Sequence, residues 1–188
     1  MIRSVLHLWL LSLLSIVGGL LAQPALRAEE NPFKSAQVGD WVSYKTEVNL
    51  PNGQKTSTTI KQSVKAKDDK EVTLSLETQA GTMKLPPRDI KVRLDVPYDP
   101  INSLTQASKN AKAEKLEDGD ETLEVDNKSL KCQWVKMKIT VDVSGQKFES
   151  ISKIWTSKDI PVGGLVKMET EVAGQKVVMI LTGFGKKK

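Results

Sequence analysis

The sequence predicts a mostly β chain: a curved antiparallel sheet, half-barrel or barrel-like, of about nine or ten strands with one short helix. Three observations carry this. Apolar and polar residues alternate at period two from residue 41 almost to the end, as in half-buried strands. Turn-forming pairs such as Asn52-Gly53, Asp68-Asp69, Ser144-Gly145 and Ala173-Gly174 separate the alternating runs. A single stretch, 100–112, carries apolar residues at helical spacing.

The first run places Val42, Tyr44, Val48 and Leu50 on one face, against Ser43, Lys45, Glu47 and Asn49. Pro51-Asn52-Gly53 then makes a hairpin, because Asn-Gly tolerates the positive φ of tight turns. The return strand over 55–65 is rich in Thr and Ser, with only Ile60 and Val64 to bury. It is expected at a sheet edge or over a wet cavity. Val72, Leu74 and Leu76 form the next apolar face. A short segment over 82–85 follows, and Pro86-Pro87 ends it. Ile90, Val92, Leu94 and Val96 then alternate with Lys91, Arg93 and Asp95.

Asp99-Pro100 is a helix start, with Asp as cap and Pro in the first turn. Ile101, Leu104, Ala107, Ser108 and Ala111 share one face, so a helix over 100–112 is expected to cover one end of the sheet. The acidic residues that follow, from Glu114 to Asp126, read as a solvated loop leading to a strand over 122–126. A long strand over 130–143 carries Val135, Met137, Ile139, Val141 and Val143 on one face and Leu130, Cys132 and Trp134 on the other. Such a change of buried face implies a bulge, or cover on both sides near its start. Strands over 147–156, 165–172 and 176–184 complete the series.

The N-terminus specifies export. Arg3 precedes a charge-free stretch from Ser4 to Leu26, and small residues follow at Ala22, Ala25 and Ala28. This is the pattern of a secretory signal peptide. Cleavage is placed after Ala28, with Ala22 and Ala25 as the other candidates; residues 1–28 are the signal and 29–188 a single β-rich domain. An uncleaved anchor is the competing reading, since the stretch is just long enough to span a bilayer. Gly18-Gly19 and Pro24 argue against it. The expected location is periplasmic or secreted, with no transmembrane segment after cleavage.

Charge and missing residues narrow the chemistry. The chain has 28 Lys and Arg against 23 Asp and Glu, and Arg3 and Arg27 fall within the signal. The mature excess is small and dispersed, unlike the basic stripe that nucleic acid requires, so no nucleic-acid partner is expected. The only histidine is His7, within the signal, which removes imidazole-based catalysis and imidazole metal ligation from the mature chain. The only cysteine is Cys132, so no internal disulfide forms and the core must hold the domain. Cys132 lacks a histidine to activate it and reads as a buried small hydrophobe. Asp118-Gly119-Asp120 lacks the ligand spacing of a calcium loop. No phosphate loop, dinucleotide fingerprint or nucleophile elbow is present. No cofactor, metal site or catalytic residue is expected.

The most distinctive stretch is 155–169, a strand ending at Trp155, a turn on Ile160-Pro161, and a Gly163-Gly164 entry into the next strand. The glycines suit a tight corner or close approach of another group, and Trp155, Pro161, Gly163 and Gly164 mark a loop of functional interest. With Cys132 in 130–134 and the closing Leu181-Thr182-Gly183-Phe184-Gly185, this pattern resembles uncharacterised exported bacterial proteins that carry Trp-x-Ser, Pro-x-Gly-Gly and Val-Lys near their ends. Their architecture is loosely similar to the curved sheet of periplasmic lipoprotein carrier proteins. The resemblance implies an envelope location and a curved-sheet fold, and it transfers no catalytic residue.

The reading is therefore an exported, non-enzymatic binding module, its concave face holding a lipid or other apolar ligand. The lining residues are Val92, Leu94, Val135, Met137, Ile139, Met168 and Met179. A lipid or a lipoprotein is the expected partner. The alternative is a structural or protein-interaction domain of the envelope that binds another envelope protein through an exposed edge such as 55–65, with no small ligand.

Overall fold

The computed structural model describes residues 31–50, 53–95, 111–143, 146–172 and 174–186. Ten strands follow in chain order: β1 (Trp41–Asn49), β2 (Lys55–Lys67), β3 (Glu71–Ala80), β4 (Met83–Lys84), β5 (Arg88–Arg93), β6 (Ala111–Val125), β7 (Lys128–Val143), β8 (Gln146–Thr156), β9 (Leu165–Val172) and β10 (Gln175–Gly185). They form one open antiparallel sheet in the order β4-β3-β2-β1-β10-β9-β8-β7-β6, with β5 beside β4 along the outer edge of β3. Apart from the β1–β10 pairing, which joins the two halves of the chain, each neighbour on this path is also a neighbour in sequence.

Local chemistry explains the turns. Asp126 and Asn127 both take positive φ, 51° and 58°, and make the two-residue link from β6 to β7, as Asx residues tolerate. Asp68 accepts from the backbone N–H groups of Lys70 and Glu71, which tightens the link from β2 to β3 and holds its carboxyl below the usual range.

Two regions differ from the sequence expectation. The 55–65 segment is not an edge: β2 pairs along its length with both β1 and β3. Its threonines fill the ladder as well as larger β-branched residues do, since β propensity rewards a pleated fit rather than hydrophobicity alone. The acidic segment is not a loop but most of β6, fifteen residues long and paired with β7 throughout. As the last strand of the sheet it meets solvent along one side. Its ladder bonds come from β7 while its side chains stay largely exposed, and so it lacks apolar alternation. Leu116 is the extra residue of a bulge there.

Among the described residues there is no helix. The helix expected over 100–112 lies mostly on 96–110, outside the described residues, and its last two positions, Ala111 and Lys112, open β6. The export signal and its cleavage sites also lie outside the described residues.

The sheet curls. Lys128, at the start of β7, sets its ammonium 4.3 Å from the ring centroid of Phe184 on β10, although β8 and β9 lie between those strands in the sheet. The Tyr44 hydroxyl of β1 donates to the Leu165 carbonyl of β9 across β10, at 3.2 Å. One buried cluster runs over this inner face, from Val72 and Leu74 on β3 through Val42 and Tyr44 on β1 to Met179, Met168, Ile154 and Val135.

Candidate functional site: the inner face of the sheet

The inner face is assembled by register. Val135, Ile154, Met168 and Met179 stand opposite one another across β7 to β10, and the row ends on Thr46 of β1. One pleat further along β7, Met137, Ser152, Thr170, Val177 and Val48 form a second row. A third runs through Ile139, Ser150 and Val172. Five of the expected lining residues, Val135, Met137, Ile139, Met168 and Met179, are thus brought together on three strands, β7, β9 and β10. Val92 and Leu94 face the same side but sit beyond β3, opposite Val72 and next to Lys70. Leu94 and the five grouped residues are buried, while Val92 is partly exposed.

The two ends of this face are unlike. At the end where β8 turns into β9, residues 160–166 are all buried. Gly163 and Gly164 take φ of 67° and 70°, and a Cβ on Gly163 would meet the Phe33 ring at 3.0 Å. Phe33 is held by the turn of 31–36, in which its backbone N–H donates to Asn31 Oδ1 at 3.1 Å. Ser157 ties the corner: its N–H donates to the Gly164 carbonyl at 2.8 Å and its Oγ accepts from the Asp159 N–H at 3.3 Å. At the opposite end, where β7 turns into β8, Ile139 is buried, and Val141, Phe148 and Val172 are partly exposed. Sequence alternation marked Val141; Phe148 and Val172 were missed because no pattern tells which end of a strand is capped.

Polar groups interrupt the apolar surface. Ser152 and Thr170 share a hydrogen bond of 2.9 Å between their hydroxyls. Thr46 Oγ1 and Gln62 Nε2 are buried with no hydrogen-bond partner. Neither was singled out from sequence, although both occupy apolar-phase positions of their strands.

Trp155, Pro161, Gly163 and Gly164 do not form one surface. Pro161 and the glycines belong to the buried corner, whereas Trp155 lies on the outer side of β8 opposite Trp134. Its indole N–H donates to Glu121 at 2.7 Å. The Lys153 ammonium stands 3.8 Å from the Trp134 ring centroid and 4.6 Å from that of Trp155. Trp134 in turn lies over Gly119, where a Cβ would come within 3.0 Å. The Trp155 indole and the Lys153 ammonium are both engaged within this cluster, which is the arrangement of a packed outer layer.

Cys132 is buried, and burial pushes its thiol above the usual cysteine value. Among the described residues no group of His, Cys, Asp and Glu side chains is placed to hold a metal ion. A polar cleft of about 720 Å³ lies on the outer side where β6, β7 and β8 meet. Four of its five charges stand opposite one another in the ladders, Glu114 against Lys138 and Asp142 against Lys147, as solvated cross-strand pairs do.

No family profile and no curated protein matches the chain. Solved structures do. A Parabacteroides distasonis protein assigned as a lipoprotein overlaps with a TM-score of 0.54 at 12% identity, covering 83% of this chain and 99% of its own. A Bacteroides fragilis protein assigned to export, with a YmcC-like fold, gives 0.52 at 10% identity, covering 80% and 97%. These likenesses concern the fold. A Nitrosomonas europaea protein of the LolA superfamily overlaps at a TM-score of only 0.30 and 11% identity, with 89% and 95% covered, which is too little to bear on the fold.

Proposed function

We propose that this chain is an exported, non-enzymatic binding module that holds an apolar ligand, an acyl chain or lipid, against the inner face of its sheet. The observation that carries this reading is one largely apolar face on a curled, open sheet, against which the described residues set no helix and no second sheet. A sheet with one oily face must bury it against something. Here one end is sealed by the protein's own corner and the other is partly exposed. The N-terminal signal pattern supports a periplasmic or secreted location, as does the fold shared with proteins assigned to export and as a lipoprotein. Among the described residues no helix is long and apolar enough to cross a membrane.

Native mass spectrometry of residues 29–188, purified from a bacterial periplasm, tests the reading. A bound species of lipid mass, lost on denaturation, is expected. A clean apo mass that persists after incubation with mixed bacterial lipid extract counts against it.

A second reading rests on β6. It is a fifteen-residue edge that pairs only with β7 among the described residues, and it carries Glu114, Glu117, Asp118, Asp120, Glu121 and Glu124. An exposed ladder is a template for an added strand, and an interaction module would use it. That reading predicts a specific protein partner and no co-purifying small molecule.

A further inference from the structure

Thr46 and Gln62 are polar residues in apolar surroundings. Both share the face of Val42, Tyr44, Ile60 and Val64. Their relative exposures are 3% and 1%, yet Thr46 Oγ1 and Gln62 Nε2 make no hydrogen bond. Leaving a buried donor unmade costs more than an average hydrogen bond returns, so each such group calls for a partner that arrives from elsewhere. Gln62 Nε2 is a donor only, and a threonine hydroxyl donates readily, so the missing partner is an acceptor.

The surroundings narrow the acceptor further. Among the described residues the one buried charged side chain is Asp40, which accepts from the Gln37 N–H at 2.9 Å in the turn before β1. Among the described residues no buried Lys or Arg is present to neutralise a carboxylate or phosphate on this face, and an unpaired charge is not tolerated in such a place. The acceptor is therefore uncharged. Thr46 stands opposite Thr58, four residues from Gln62 along β2, so the two donors are separated by about 13 Å along the strand direction. That distance suits a long ligand.

We infer that Gln62 and Thr46 are specificity-determining residues that donate to carbonyl oxygens of an ester- or amide-linked acyl ligand. The inference rests on the binding-module reading and adds the ligand's chemical class. It excludes both a bare hydrocarbon and an ionised fatty acid as the preferred occupant.

The test compares methyl palmitate, hexadecane and palmitate, each delivered from cyclodextrin to residues 29–188, with Gln62→Met and Thr46→Val as variants. Wild-type protein is expected to favour methyl palmitate over both other probes. Methyl palmitate has a single carbonyl and meets one donor at a time, so at least one of the two variants is expected to bind it about two- to tenfold more weakly, the loss of one neutral hydrogen bond, with hexadecane unaffected. The ligand-free melting temperature is expected to hold or rise, because an unpartnered polar group is replaced by an apolar one of similar shape. If the ester shows no advantage in the wild type, or both variants bind it as the wild type does, the inference falls while the binding-module reading stands. If no probe binds at all, both fall.

Discussion

The two ends of the inner face are built from the same strands, yet they are packed differently. At the β8–β9 end the chain turns back on itself, and Phe33 is inserted against Gly163, so that residues 160–166 are wholly buried. At the β7–β8 end Val141, Phe148 and Val172 keep contact with solvent. The difference teaches that this sheet is not a uniform trough. Its core is specified by a corner at one end and thins towards the other.

The largest effect is expected at the sealed end. Phe33→Ala removes a side chain that is 2% exposed and should destabilise the domain by about 3–5 kcal/mol, as large core truncations do. Urea unfolding measures it. The buried Cys132 thiol is expected to resist alkylation at neutral pH until the protein unfolds. Phe148→Ala at the thin end should cost only about 1–2 kcal/mol, because the ring is partly in water already. Equal losses at the two positions would erase the distinction between the ends.

The smallest effect concerns Glu169 on the outer side of β9. Hydrogen bonds from Lys167, at 2.8 Å, and Lys176, at 3.0 Å, hold its carboxyl below the usual glutamate value. A depressed folded-state value means that the stabilisation is present above the ordinary carboxylate pKa and disappears as pH falls through the lowered one. Glu169→Gln should therefore be less stable than wild type at neutral pH, by under about 1 kcal/mol for so accessible a pair. The two proteins should converge in acid. Thermal melts at a series of pH values would show this.

Much of the fold was legible because alternation is a local signal. Val42 with Tyr44, Val72 with Leu74, and Val135 with Met137 and Ile139 each declared a strand and its buried side. The turn at Asp68-Asp69 was equally clear. Strand order was not legible, since alternation says nothing about neighbours. The threonines of β2 look wet and so read as a sheet edge or the cover of a wet cavity, although backbone pairing on both sides needs no apolar side chain. β6 was hidden because an edge strand exposed along one side can carry acids at almost every position.

The candidate site was legible only in part. Met168 and Met179 were recognisable as inward residues, but their alignment with Val135, Ile154 and Thr46 depends on register across five strands. Gln62 and Thr46 drew no notice because a lone polar residue in a strand is ordinary until its burial and missing partners are seen.

The central claim, that the inner face receives an acyl ligand, is tested most directly by methionine methyl NMR. In residues 29–188 the methionines are Met83, Met137, Met168 and Met179. The last three are 3%, 1% and 0% exposed on the inner face, while Met83 is 64% exposed on β4. Titration with methyl palmitate should shift the signals of Met137, Met168 and Met179 and leave Met83 in place. A shift confined to Met83, or no shift at saturating ligand, would contradict the account.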